Sequence, residues 1–499
     1  MKIKQLQLKN YGRFDDLTIA FAPTAEKKSN VTIIVGNNGA GKSQILQALA
    51  TGLSWFIELL KDSNGIGNLP NHLSIKNGKS DVLIKITAQD EYRSKNISWE
   101  ISSFKQQDFR GNSSFNYRED GLKDLIGNYV KGFRKGLIHN LPLVALSGDT
   151  RNNQKWNHEN LDESFTANIL TGYENSLTMN NSFFQFIQWF RDNEDVENEE
   201  ILRKLDENSQ LNANYSHSIQ LLRLEEQEIK NRLDFAVGLE KAKMYNQLSY
   251  IQEQIFRAEQ AFQKITLNLD SYKNSVNFEG RKSLNAVRVA IEEFTGLKNP
   301  KIRRQGTPTM IVEKDGQELD VNQLSQGEKS LLALVGDIAR RLAILNPSLE
   351  NPLLGEGVVM IDEVDLHLHP KWQHDLIDKL VRTFPKVQFI LTTHSPLIVS
   401  DRADVLVYVL DDGELYETGN IYGADANALL NDVFDVPPRT PEIEEKFNEI
   451  LRDLSEKNIE SAEEKVKKLA QVIAPNSEQL FKVKLLLAKE KISKNKELG

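Results

Sequence analysis

The sequence predicts an α/β fold on a mostly parallel sheet, with a helical insertion in its middle and a helical tail. Three features carry this. Val31-Thr-Ile-Ile-Val35 is a continuous apolar run of the kind a strand buried on both faces needs, and a glycine-rich loop and a helical pattern over 44–60 follow it. After Pro300, apolar runs at 309–312, 358–361, 389–391 and 405–410 alternate with helical segments, the order of a sheet built from crossover units. Between Pro142 and Pro300 there is no proline, and Glu, Gln, Leu, Lys and Arg dominate.

Taken in order, Ile3, Leu6, Leu8 and then Leu17, Ile19, Phe21 alternate with polar residues, as half-buried strands do. Strand-like runs follow at 82–87 and 97–104, and 143–146 reads as a further buried strand. In the proline-free region Met244, Leu248, Ile251, Ile255, Ala258, Phe262, Ile265 and Leu269 recur at alternating spacings of four and three, a heptad seam. Leu222, Ile229, Leu233 and Ala236 form a looser seam upstream. The region 200–275 therefore reads as a helical hairpin or short coiled coil, and equally as an amphipathic pair packed on the body. Amphipathic stretches at 441–455, 459–473 and 477–493 make the tail, whose lysine run reads as a solvated face. The expected division is an N-terminal lobe 1–190, an insertion 191–285, a C-terminal lobe 286–420 and a partner-binding tail 421–499.

Composition narrows the function classes. At 499 residues the chain exceeds one ordinary domain. Zero cysteines exclude disulfides, a thiol nucleophile and thiolate metal sites. A net charge of −9 argues against the whole protein acting as an electrostatic adhesive for nucleic acid. No apolar run approaches a membrane span and no secretory pattern follows Met1, so a soluble, cytoplasmic protein with no membrane partner is expected.

The chemistry lies in four segments. Gly36-Asn37-Asn38-Gly39-Ala40-Gly41-Lys42-Ser43 fits GxxxxGK[ST] between a buried strand and a helix, where backbone N–H groups can wrap phosphates at a helix N-terminus. Lys42 would neutralise the β- and γ-phosphates of ATP, and the Ser43 hydroxyl would hold Mg²⁺. Val358-Val-Met-Ile361-Asp362-Glu363 is an apolar strand ending in two acids. Asp362 is placed to reach Mg²⁺, and Glu363 to orient or deprotonate the attacking water. Leu324-Ser325-Gln326-Gly327-Glu328 opens a helix, and Ser325 with Glu328 also fits a capping box. Ile390-Leu-Thr-Thr393-His394-Ser395-Pro396 is a strand ending in a histidine.

Together, in this order, the four segments resemble an ABC-type ATPase head (SMC/RecF-like, AAA_21-type), with LSxGE as the signature and His394 as the switch histidine. The resemblance implies a P-loop core on a parallel sheet, ATP and Mg²⁺ as ligands, and a head-to-tail homodimer or higher homo-oligomer in which Ser325 and Gly327 serve the partner's nucleotide. Trp189-Phe-Arg-Asp-Asn-Glu-Asp-Val-Glu-Asn198, Arg341-Leu-Ala-Ile-Leu-Asn-Pro347, Ile361-Asp-Glu-Val-Asp-Leu-His-Leu-His-Pro-Lys-Trp-Gln373 and Phe389-Ile-Leu-Thr-Thr-His-Ser-Pro396 further resemble the ATPase subunits of Septu and Septu-like retron anti-phage systems. That family implies a separate HNH-type nuclease as partner, and nucleic acid (DNA or retron RNA–DNA) reached through the complex. Gln154 would be the Q-loop residue near the metal, with Arg151 as the competing phosphate sensor. Asp365 occupies the region that contacts the other protomer. His367-x-His369 has a metal-like spacing without a third ligand nearby, and Tyr11 and Arg13, near the first strands, are candidates to approach the nucleotide, with core packing the alternative for Tyr11. No Toprim or HNH constellation appears in the chain.

Two functions follow: a regulatory ATPase gating a partner nuclease, or a repair-type head that clamps DNA itself through Lys131, Arg134, Lys135, Lys298, Lys301, Arg303 and Arg304. A transporter subunit is disfavoured by the helical insertion and the acid–histidine run after Glu363.

Overall fold

The computed structural model describes the chain except for residues 91–94, 106–114, 135–139, 149–168, 180–182, 236, 275–281, 307, 401, 420, 426–427, 431–439, 475–476 and 498–499. It opens with β1 (Lys2–Tyr11) and β2 (Phe14–Ala20), then β3 (Val31–Gly36) and helix α1 (Lys42–Lys61). Next come β4 (Asp81–Asp90), β5 (Lys95–Phe104), β6 (Phe115–Asp120), α2 (Leu122–Arg134) and β7 (Leu143–Ser147). Two long helices, α3 (Phe183–Leu233) and α4 (Leu239–Asn274), precede α5 (Lys282–Thr295) and the strands β8 (Lys298–Arg303), β9 (Thr309–Lys314) and β10 (Gln317–Asp320). The second half continues with α6 (Gln326–Leu345), β11 (Gly357–Ile361), α7 (Pro370–His374), α8 (Leu376–Thr383), β12 (Val387–Thr393), α9 (Pro396–Val399), β13 (Leu406–Asp411) and β14 (Glu414–Glu417).

The strands make three sheets. Six are ordered β14-β13-β3-β12-β11-β7, parallel except for the β13–β14 edge. Every residue of β3, β7, β11 and β12 is buried, which is why these strands read as mainly apolar runs. In a five-stranded antiparallel sheet, β2-β1-β4-β5-β6, the strands β4 and β5 alternate buried and half-buried positions instead. Helix α1 packs between these two sheets. Its Gly52 admits the antiparallel sheet so closely that a Cβ there would lie 2.3 Å from Ile86 Cδ1, and the Gly52 carbonyl accepts from Trp99 Nε1 at 2.8 Å. The buried Gln388 amide also ties the sheets, accepting from Ile3 N–H and donating to the Ile3 and Ala22 carbonyls.

The expected junction at 190/191 falls inside α3, whose first turns bury Phe186, Ile187, Trp189, Phe190, Glu194 and Glu197 in the body. Beyond Glu197 no described residue of α3 is buried. There α3 and α4 pair with each other, joined by Arg223–Glu259 and Gln252–Glu226. Met244, Ile251 and Ile255 are buried along the seam and Leu248, Ala258 and Phe262 are half-buried. Tyr215, Ile219, Leu222, Glu226, Ile229 and Leu233 repeat the heptad on α3. Over this stretch the two helices contact each other along the seam. Ala236 and the side chains of Ile265 and Leu269 lie outside the described residues.

At its root the hairpin is held by charge. Glu194 accepts from Arg288, Arg304 and the Ile302 amide, Glu197 pairs with Arg288 at 2.8 Å, and Asp195 pairs with Arg304 at 2.6 Å. The tail has a hydrophobic core of its own. Phe447, Ile450 and Leu454 of helix Pro441–Ser455 meet Ile459, Ala462, Val466 and Leu469 of helix Ile459–Ala470 and Leu480, Val483 and Leu487 of helix Glu478–Glu497. No helix among the described residues is long and apolar enough to cross a membrane.

Candidate nucleotide-binding site

The parallel register sets the site. Thr393 of β12 lies beside Val35, Leu410 of β13 beside Gly36, and Ile361 of β11 between Leu391 and Ser147. Every segment that leaves a C-terminal strand end therefore emerges at one edge, where ligands of open α/β sheets bind. The loop 36–41 leaves β3 and Asp362-Glu363 leaves β11; His394 leaves β12.

The loop has the backbone its sequence implies. Gly41 caps α1 at φ 111°, and a Cβ there would stand 2.8 Å from the Phe14 ring. At Gly36 a Cβ would meet the Leu410 carbonyl at 2.2 Å. The first-turn amides of α1 have no intrahelical acceptor and point, with the positive end of the helix dipole, out of this loop. Lys42 is buried, and its Nζ donates to the Gly36 and Asn37 carbonyls at 2.8 and 3.1 Å. Burial lowers its pKa, and the charges of Asp362, Glu363 and Asp365 oppose that shift. The cation and the acids thus lie within electrostatic reach of one another.

One hydroxyl organises the acids. Thr392 Oγ1 donates to Asp362 Oδ1 and accepts from the Glu363 amide at 2.8 Å. The Asp362 amide donates to the Ser147 carbonyl at 2.8 Å. Glu363 is held at φ 46°, a left-handed backbone that a non-glycine residue keeps only when its surroundings enforce it. Asp365 Oδ1 accepts from Thr393 Oγ1 at 2.6 Å and from the His394 amide at 3.3 Å, so this acid fixes the turn carrying the histidine. The His394 pKa lies below the ordinary histidine value, pushed down by burial and then by Lys42, with Asp365, Glu363 and Asp362 opposing. This setting favours the neutral imidazole.

The signature segment is built as a cap. Ser325 N–H donates to Glu328 Oε2 at 2.9 Å, Ser325 Oγ donates to the same oxygen at 2.7 Å, and the Glu328 amide returns a bond to Ser325 Oγ. Burial would raise the Glu328 pKa, but Lys314 at 2.6 Å and Ser325 bring it below the usual carboxylate range. Ser325 is exposed and Gly327 buried, and a Cβ on Gly327 would stand 2.6 Å from the His367 carbonyl. The cap therefore sits directly on the loop that follows Glu363. Among the described residues, no hydrogen bond joins residues 324–328 to residues 36–43.

Other expectations are placed as follows. Ser43 sits half-buried on the first turn of α1, beside Lys42. Gln154 and Arg151 lie outside the described residues. His369 Nδ1 accepts from the Lys371 amide as the cap of α7, and no described group of three His, Cys, Asp or Glu could hold a metal ion. Tyr11 is buried and lines a cavity of about 560 Å³ with Gly12, Gln44 and Ser74; its pKa is raised by burial. Of the candidate DNA-contacting residues, Lys301 pairs with Glu318, Arg303 with Asp320, and Arg304 with Glu194 and Asp195. Lys135 and the side chains of Lys131 and Arg134 lie outside the described residues. Sequence reasoning missed the roles of Thr392 and Thr393. The available signal was two hydroxyls at the inner end of an apolar strand, directly before the histidine.

A family model described as AAA ATPase domain (AAA_15) matches residues 1–399. The chain belongs to the AAA ATPase domain family. Among curated relatives, the retron Ec83 probable ATPase of Escherichia coli is 30% identical over 98% of this chain and 87% of its own length. The Septu protein PtuA of Bacillus mycoides is 31% identical over 32% of this chain and 24% of its own length. Among solved structures, an Smc head domain from Pyrococcus furiosus overlaps 84% of this chain and 96% of its own at a TM-score of 0.40 and 14% identity. For this AAA ATPase domain protein the residues present fit a magnesium nucleotide. Its glycine loop has no room for side chains at Gly36 and Gly41, and one carboxylate plus a hydroxyl suffices when phosphates supply the remaining metal ligands.

Proposed function

We propose that this chain binds and hydrolyses ATP as a head-to-tail dimer, or a larger homo-oligomer, whose nucleotide state regulates an HNH-type nuclease partner in bacterial anti-phage defence. The observation that supports this most is the convergence of Lys42, Asp362, Glu363 and His394 on one sheet edge. Alignment of nearly the whole chain with a retron ATPase adds to it.

In this reading the amides of residues 36–43 and Lys42 hold the β- and γ-phosphates. Ser43 and Asp362, with Gln154, would hold Mg²⁺, which would spread the charge of the phosphates. Glu363 takes the proton of the attacking water and His394 touches the γ-phosphate. Ser325 and Gly327 close over the nucleotide of the opposite protomer. Lys42→Ala abolishes ATP binding. Glu363→Gln binds ATP, does not turn it over and accumulates as the ATP-bound dimer; turnover at the wild-type rate would remove Glu363 as the base.

The test of the defence role is native purification of the tagged protein from its host with identification of the accompanying chains. Stoichiometric recovery of an HNH-type nuclease, with or without retron RNA–DNA, supports the reading. Recovery of chromosomal DNA and repair proteins without a nuclease replaces it with direct DNA clamping. Of the described candidates for that alternative, Lys301, Arg303 and Arg304 are engaged in ion pairs and Lys298 is exposed.

A further inference from the structure

Helix Glu478–Glu497 is apolar on two sides. Leu480, Val483 and Leu487 fill the core of the tail, while Phe481, Leu485 and Ile492 on the other side are 67%, 60% and 61% exposed. With Ala488, also exposed, these residues recur at i, i+4, i+7 and i+11, which aligns them in one narrow stripe. The helices Pro441–Ser455 and Ile459–Ala470 show nothing comparable: their large exposed apolar side chains amount to Leu451. A helix apolar on both sides is normally covered on both.

Lysines border the stripe along both margins. Helical spacing places Lys482 and Lys489 on one side and Lys484 and Lys491 on the other. Lys482 pairs with Glu478 and Lys491 with Glu463, whereas Lys484 and Lys489 form no ion pair among the described residues.

The geometry points to this stripe as the docking face for a separate protein chain presenting an apolar groove or helix edged with carboxylates. This inference rests on the reading of the chain as one subunit of a larger assembly. Two other occupants fit less well. A second copy meeting the same stripe would set lysine margins against lysine margins, because a two-fold contact brings each patch onto itself. An anionic membrane would gain no net attraction, since residues 441–499 carry twelve acidic and twelve basic side chains. Helix-in-groove recognition uses anchors at this spacing, with charged margins setting specificity and orientation.

The test uses the full chain with a photo-reactive benzoylphenylalanine at position 485, irradiated in the native host, and the cross-linked peptides sequenced. The expected product joins position 485 to a different protein, at a segment where Asp or Glu flanks apolar residues. That protein, purified, should bind the unmodified chain at least tenfold more weakly after Leu485→Glu, and also after Lys484→Glu with Lys489→Glu. Reversing the flanking carboxylates to lysine should restore binding to the doubly charge-reversed chain. Unchanged thermal unfolding of the variants separates lost docking from lost folding. Cross-links to lipid, to a second copy or to nothing overturn the docking face, as does binding indifferent to Leu485→Glu. If a nuclease co-purifies but never cross-links at 485, the docking face fails and the functional reading stands. If the cross-linked protein is no nuclease, the reverse holds.

Discussion

Replacing Thr392 with valine removes a single oxygen from a fully buried site and keeps the side-chain shape. That oxygen donates to the Asp362 carboxylate and accepts from the Glu363 amide. A hydrogen bond to a charged group contributes about 1.5–3 kcal/mol, and a buried amide left without its acceptor costs about 1–3 kcal/mol. Because both effects belong to one atom, we expect a loss of about 2–4 kcal/mol. At about 2 °C per kcal/mol for a large domain, the unfolding midpoint should fall by about 4–8 °C. Function should fall unevenly. ATP binding rests on the loop 36–43 and should stay within about threefold, while Glu363, freed from its left-handed backbone, should lose at least tenfold in turnover, about 1.4 kcal/mol of barrier. Phosphate release, titration with a fluorescent ATP analogue and thermal melting measure the three quantities. Thr392→Ser keeps the hydroxyl and should recover most of each. Wild-type turnover together with an unchanged midpoint in Thr392→Val would refute the assignment of Thr392 as the residue that positions both acids.

Glu194→Ala strands the Ile302 amide at the hairpin root while Arg288 keeps Glu197 and Arg304 keeps Asp195, so it should cost about 1–3 kcal/mol, the usual result of leaving a buried donor without its acceptor; urea unfolding checks it, and no measurable loss would show the root is held otherwise. Gly327→Ala forces the signature cap off the His367 carbonyl, so turnover should collapse while each protomer still binds ATP; retained turnover would mean the loop yields freely. The His394 imidazole should titrate below the ordinary histidine value by NMR and move upward in Lys42→Ala, because Lys42 is one of the two causes of its depression. Its folded pKa being the lower one, the unfolded chain takes up the proton first, so its contribution to stability is present above about pH 6.5 and is lost as pH falls through the folded value.

The parallel strands were legible because burial on both faces leaves no choice but continuous apolar runs, and the glycine loop because its chemistry fixes both residue type and spacing. The hairpin seam was legible for the same reason: Met244, Ile251 and Ile255 keep the heptad and are the buried positions among the described residues of α4. Of the β8–β9–β10 sheet only β9 was legible, as the run 309–312, and it lies in this antiparallel sheet and not among the parallel strands. Lys298–Arg303 buries only Pro300 and Ile302, an alternation too short to stand out among its charged residues. The start of the insertion was hidden because α3 runs unbroken from the body into the hairpin, with no cap, glycine or proline to mark the passage. Gln388 and Thr392 looked like interruptions in an apolar strand, although each satisfies backbone or carboxylate groups that no apolar residue could.

The unbroken course of α3 has a mechanical consequence. From Glu197, the last residue anchored in the body, to Leu233 at the far end, the helix extends about 50 Å at 1.5 Å per residue. It is a lever whose fulcrum is the cluster of Glu194, Glu197, Arg288 and Arg304. A tilt of about 5° at that fulcrum sweeps the far end through about 4 Å, a displacement comparable to one helical turn of 5.4 Å. Adjustments at the root too small to disturb the body's core would thus arrive at the exposed Phe235, Val237 and Leu239 as a change of position that a bound neighbour has to follow.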